Sequence, residues 1–189
     1  MLQWFRRRTQ AARRAEELYG SVVTAARHPA FYRDMGAPDT PEGRFEMIAL
    51  HLFLLLEGIR LQATAETELA QHTIEAFVTD MDDCMREMGV GDMAVAKKVK
   101  RAAAAFYERA AVYRTGLAAR GTDLEDGLLK YVFAGAAGRK GAPAHDGAAR
   151  LARYMRAAAD LSSKEPFDKL VARGDLGRLL NSSGAEVSS

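Results

Sequence analysis

The chain has 189 residues, 48% of them apolar and 28% charged, with 27 Lys and Arg against 25 Asp and Glu and a formal net charge of +2. That length suits one domain with a sizeable core, and so even a charge balance excludes a chain-wide polyanion binder. A single cysteine, Cys84, excludes an internal disulfide and favours a reducing compartment.

Residues 1–14 carry Arg6, Arg7, Arg8, Arg13 and Arg14 and no acid. They lack the apolar stretch of a secretory signal. Trp4 and Phe5 beside Arg6, Arg7 and Arg8 suit contact with a membrane surface: rings at headgroup level, and about 1 kcal/mol of attraction to anionic lipid per basic residue. A solvated terminus is the open alternative. Ala12, Ala15, Leu18, Tyr19, Val22, Val23 and Ala26 then recur at three- and four-residue steps, which predicts an amphipathic helix over residues 9–27. Pro29, Gly36 and Pro38 mark the next stretch as a connection in which Phe31 and Tyr32 dock on the core.

Residues 40–62 predict the element on which the rest is organised. Asp39 and Thr40 offer capping oxygens, Pro41 suits the first helical position, and from Phe45 to Leu56 only Glu46 and His51 are polar. A helix apolar on nearly every side must be enclosed, and this run is about half the ~20 residues that span a bilayer. His51 reads as a neutral, hydrogen-bonded core residue, pointing away from Glu46.

Ile74, Phe77, Val78, Met81, Cys84, Met85 and Met88 form one helical stripe, which assigns Cys84 and most of these methionines to the core. Gly89 fits a left-handed helix stop. Asp92 can cap the following helix, whose buried face is Val95, Val99, Ala102, Ala103, Phe106, Ala110, Tyr113 and Leu117. So short a turn predicts an antiparallel pair. The run Lys97–Arg101 opposes the local helix dipole and calls for Asp83 or Glu87 nearby; without interleaved aromatics it does not point to nucleic acid. Thr122 or Asp123 can cap a helix to about Phe133. Residues 134–147 read as a flexible surface loop, Leu151, Tyr154, Met155 and Ala158 as a helix, Ser163 as the cap of a short helix over 165–172, and 181–189 as a disordered tail. The expectation is an all-α fold, a single helical domain over residues 1–180 with six to seven helices around the central buried one.

Chemistry is sparsely encoded. Asp80, Asp83 and Glu87 share a helical strip that could hold Mg²⁺ through water. The strip resembles the aspartate-rich helices of isoprenoid synthases, without their second motif. It sustains the alternative of a metal-dependent helical enzyme acting on a prenyl or quinone-like substrate. Asp82 and Arg86 pair at i,i+4, as on a solvated face. No phosphate loop, nucleophile elbow, dinucleotide fingerprint or zinc-ligand spacing is present, and no catalytic, cofactor-binding or metal residue is assigned.

Two segments carry a resemblance. Pro38–Thr40, Gly43–Phe45 and Leu50–His51, with Asp80–Asp82, Arg86–Asp92, Lys97 or Lys98, Phe106–Tyr107 and Arg109, are similar to motifs of the ubiquinol–cytochrome c chaperone family. These are assembly factors of the cytochrome bc1 complex in mitochondria and alphaproteobacteria. The resemblance implies a mostly helical, non-enzymatic bacterial chaperone without cofactor, whose partner is newly made cytochrome b. It places the protein in the cytoplasm or peripherally on the cytoplasmic face of the inner membrane. Arg44, Asp80, Asp82, Arg86, Met88, Gly89, Val90, Asp92 and Lys97 are the expected partner-binding residues, while oligomeric state is not encoded legibly.

Overall fold

Thr40 stops the chain from entering the central helix uncapped: its hydroxyl oxygen accepts a hydrogen bond from the Gly43 amide at 3.1 Å, and Pro41 follows at the first helical position. In the computed structural model, which describes residues 2–62, 67–119, 121–134 and 143–184, this helix is the third of nine. They are α1 Leu2–Ala26, α2 Pro29–Arg33, α3 Pro41–Leu61, α4 Thr67–Glu87, α5 Asp92–Ala118, α6 Asp123–Tyr131, α7 Pro143–Lys164, α8 Phe167–Ala172 and α9 Asp175–Gly184. No strand occurs among the described residues. The fold is all-α.

The α3 helix is enclosed as its sequence requires. Every side chain from Ala49 to Leu55 is buried, His51 included. Helices α1, α5 and α7 pack against it, α4 bridges α1 and α5, and α6 bridges α5 and α7. One continuous core results, with Phe31, Phe53, Phe77, Phe106, Phe133, Tyr113 and Tyr154 its largest enclosed side chains. Close backbone approach at the entry to α3 demands glycine: a Cβ on Gly43 would stand 1.9 Å from the Pro38 carbonyl oxygen.

Several boundaries differ from the sequence reading. Helix α1 begins at Leu2, not near Thr9, because nothing between them breaks a helix. The connection after it contains α2, capped by the His28 ring, with Phe31 buried and the Tyr32 hydroxyl donating to the Ala26 carbonyl. Helix α7 starts at Pro143, so residues 143–147 are helical and only part of the expected loop remains; residues 135–142 lie outside the described residues. Ser163 caps nothing: it sits inside α7, its hydroxyl donating to the Asp160 carbonyl. The extra helix α9 runs to Gly184, and the rest of the expected tail, 185–189, lies outside the described residues.

Candidate functional site

The α4–α5 hairpin turns where the sequence places the break. Gly89 has φ +77°, its amide donates to the Arg86 carbonyl, and the Val90 amide donates to the Met85 carbonyl, which together form a Schellman stop. Gly91, not Asp92, is the cap of α5. Asp92 is instead an acidic first-turn residue that favours the helix dipole and pairs with Arg86. Arg86 also donates to Asp82 at 2.5 Å, so one guanidinium ties the end of α4 to the start of α5. Asp82, Arg86, Gly89, Val90 and Asp92 therefore converge at the hairpin tip, and Lys97 is exposed one turn beyond. The expected pairing of Lys97 or Arg101 with Asp83 or Glu87 does not form among the described residues; Asp92 offsets the basic run instead.

The methionine stripe is only half core. Phe77 and Met81 are buried, Met85 is half-buried, Cys84 is exposed, and Met88 is 66% exposed. The stripe is covered at its beginning, where Phe77 packs against Phe45 and Phe106, and is left open toward its end. Its open end forms one wall of a groove of about 650 Å³. Helix α3 supplies Arg44, Phe45 and Ile48 to it, and α5 supplies Lys98, Arg101, Ala102 and Ala105. The turn after α1 adds Arg27, and α2 adds Tyr32. The volume lies within the range of concave binding sites, and methionine suits a wall that must accommodate varied shapes.

Charge around this groove is arranged unevenly. At its base Glu46 accepts two hydrogen bonds from Arg109, at 2.6 and 2.5 Å, and Arg109 lies over the Tyr131 ring at 4.5 Å. This buried pair joins α3 to α5 and leaves neither charge free. Asp80 accepts a 2.6 Å hydrogen bond from the Tyr19 hydroxyl, whose ionisation is pushed up by burial first and then by the carboxylate. Arg44 pairs with Asp39 at 2.7 Å. Arg27, Lys98 and Arg101 have no ion-pair partner among the described residues. Partial burial, then the carboxylates of Asp80 and Glu87, raise the Cys84 thiol above its ordinary pKa, so it is not an activated nucleophile.

Of the expected partner-binding residues, Arg44, Asp80 and Met88 line the groove, while Asp82, Arg86, Gly89, Val90, Asp92 and Lys97 sit at or beside the hairpin tip. The side chains of Trp4, Phe5, Arg6, Arg7 and Arg8 lie outside the described residues. The alternative carboxylate strip does not assemble: Asp80 turns toward Tyr19, Asp83 and Glu87 are exposed, and among the described residues no three His, Cys, Asp or Glu side chains could hold a metal ion. His51 is fully enclosed. Its Nδ1–H donates to the Met47 carbonyl at 2.7 Å, which leaves Nε2 to accept from the Tyr154 hydroxyl at 2.9 Å. Burial holds its pKa down to about 4, the neutral form of a structural residue. The residues missed by sequence reading are Arg27, Lys98 and Arg101 as rim cations. Only their lack of an i,i+4 acid could have signalled them.

Residues 33–174 match the family model described as ubiquinol-cytochrome C chaperone. Among solved structures, the crystal structure of the Cbp3 homolog from Brucella abortus is similar, with a TM-score of 0.71 and 34% sequence identity over 92% of this chain and 93% of that one. Comparison with curated proteins finds no match.

Proposed function

The chain belongs to the ubiquinol-cytochrome C chaperone family, and from that premise we propose that it is a non-enzymatic assembly chaperone which binds newly made cytochrome b on the way to the cytochrome bc1 complex. The observation that carries this reading is the groove: an apolar, methionine-walled concavity left open beside a tightly packed core. A holder of membrane protein needs adaptable apolar surface that does not collapse on itself. The core and the Glu46–Arg109 pair fix the walls, and Met85 and Met88 supply the adaptable part.

Covering a methionine side chain contributes on the order of 1.5–3 kcal/mol. Met85 and Met88 together contribute at most about 3–6 kcal/mol, less than the roughly 8 kcal/mol of micromolar binding, so the remaining apolar wall of the groove shares in holding a client. The hairpin-tip residues Asp82, Arg86, Asp92 and Lys97 serve as the polar margin of that surface. No described helix is long and apolar enough to cross a membrane. The basic first helix, through Trp4, Phe5, Arg6, Arg7 and Arg8, provides contact with an anionic membrane surface where the client emerges.

The test is capture of cytochrome b in cells. Charge reversal at Asp80, Asp82 and Arg86, and separately Met88→Asp, are each expected to reduce co-purified cytochrome b and assembled complex. Undiminished capture by both would refute the surface.

A further inference from the structure

Resting on the chaperone reading of the same groove, we infer that its occupant is an α-helical segment of the client whose apolar face is flanked by carboxylate side chains. Two independent features of the groove lead there. The first is shape. Met81 and Met85 on α4 and Met88 directly after its last residue, its amide still bonded to the Cys84 carbonyl, stand at i, i+4 and i+7, the spacing of a stripe that packs against another helix. At Phe77 and Met81 this stripe is enclosed by the neighbouring helices, but by Met88 it is open. The open end presents a helix-packing surface with its partner missing, and an incoming helix continues the pattern.

The second feature is charge. Arg27, in the turn after α1, and Lys98 and Arg101 on α5 line the groove and have no ion-pair partner among the described residues. The acids that face the same space are already engaged, Glu46 by Arg109 and Asp80 by Tyr19, apart from exposed Glu42. Bringing an uncharged helix against those three cations would strip water from them without compensation, whereas a carboxylate at the rim replaces that water with an ion pair. The groove thus selects acid-flanked helices and disfavours lysine-flanked ones, a preference built partly on repulsion.

The full chain is titrated with three fluorescein-labelled helical peptides of one apolar sequence, differing only in whether two flanking positions are Glu, Gln or Lys. The Glu peptide should bind about tenfold tighter than the Gln peptide, with the Lys peptide weakest and the spread narrowing as NaCl rises. The double variant K98E/R101E should invert the order, and its urea midpoint reports that folding is intact, since both side chains are exposed. Equal binding of the three peptides overturns the inference. So does tight, K98E/R101E-sensitive binding of phosphatidylglycerol vesicles that the Glu peptide fails to displace, since the groove would then be a lipid site. If the peptides are not distinguished but Met88→Asp abolishes cytochrome b capture, the chaperone reading stands and the carboxylate preference falls. If peptide preference holds while cytochrome b capture ignores Met88→Asp, the preference stands and the client is another protein.

Discussion

His51 makes the stability of this fold depend on pH in a calculable way. Its ring lies in the middle of α3 with both nitrogens engaged, one donating to Met47 and the other accepting from Tyr154. Protonation would give the ring two donors, and the Tyr154 hydroxyl would have to turn around inside a packed core. Burial accordingly moves the pKa from 6.5 to about 4. Because the folded pKa is below the unfolded one, the unfolded chain takes up the proton first. The contribution is therefore intact above pH 6.5 and is lost as pH falls toward 4. The loss is on the order of 1 kcal/mol at pH 5.5 and roughly 3 kcal/mol near pH 4. Urea unfolding at pH 7.5, 5.5 and 4.5 of the natural chain and of H51Q, which places a neutral amide there, isolates this term from the carboxylates. The stability difference between the two proteins should shrink or reverse by those amounts as the solution is acidified. Parallel losses in both proteins would refute the assignment of a neutral, enclosed imidazole.

Three further perturbations follow from the geometry. Arg109→Ala strands Glu46, whose side chain is 9% exposed, and should cost about 3–5 kcal/mol in urea denaturation. A loss under 1 kcal/mol would mean that water reaches the carboxylate. Gly43→Ala drives a methyl group into the Pro38 carbonyl and should cost about 1–3 kcal/mol, read as a lowered thermal midpoint. Met88→Ala should leave stability within about 0.5 kcal/mol, because its side chain lies mostly outside the core, while lowering cytochrome b capture; a large stability loss would place Met88 in the core after all.

Elements whose signals are local were legible in the sequence. The Thr40 cap, Pro41 and the apolar run to Leu56 place α3 within one residue of its bounds, and Gly89 ends α4 with the expected left-handed backbone. The neutral, enclosed state of His51 also follows from its neighbours. What was illegible depends on distant partners. Periodicity puts Phe77 and Met88 on one stripe, yet only tertiary packing decides that the first is enclosed and the second is not. Glu46 meets Arg109 across 63 residues, and Asp80 meets Tyr19 across 61; neither pair leaves a mark in local spacing. Asp80 therefore reads as a candidate metal ligand in the sequence and is a hydrogen-bonded interface residue in the fold. Helix α2 escapes because a single turn bounded by Pro carries too few apolar positions to show a period, and the ten-residue α9 offers only Leu176, Leu179 and Leu180.

The open groove as the client-holding surface is tested most directly by a photoreactive side chain installed at Met88, with a second at Lys164 on the exposed end of α7 as control, in cells translating cytochrome b. Irradiation should join the Met88 position to cytochrome b and leave the Lys164 position unlinked. Adducts of equal yield at both positions, or none at Met88 while cytochrome b still co-purifies, would contradict the account.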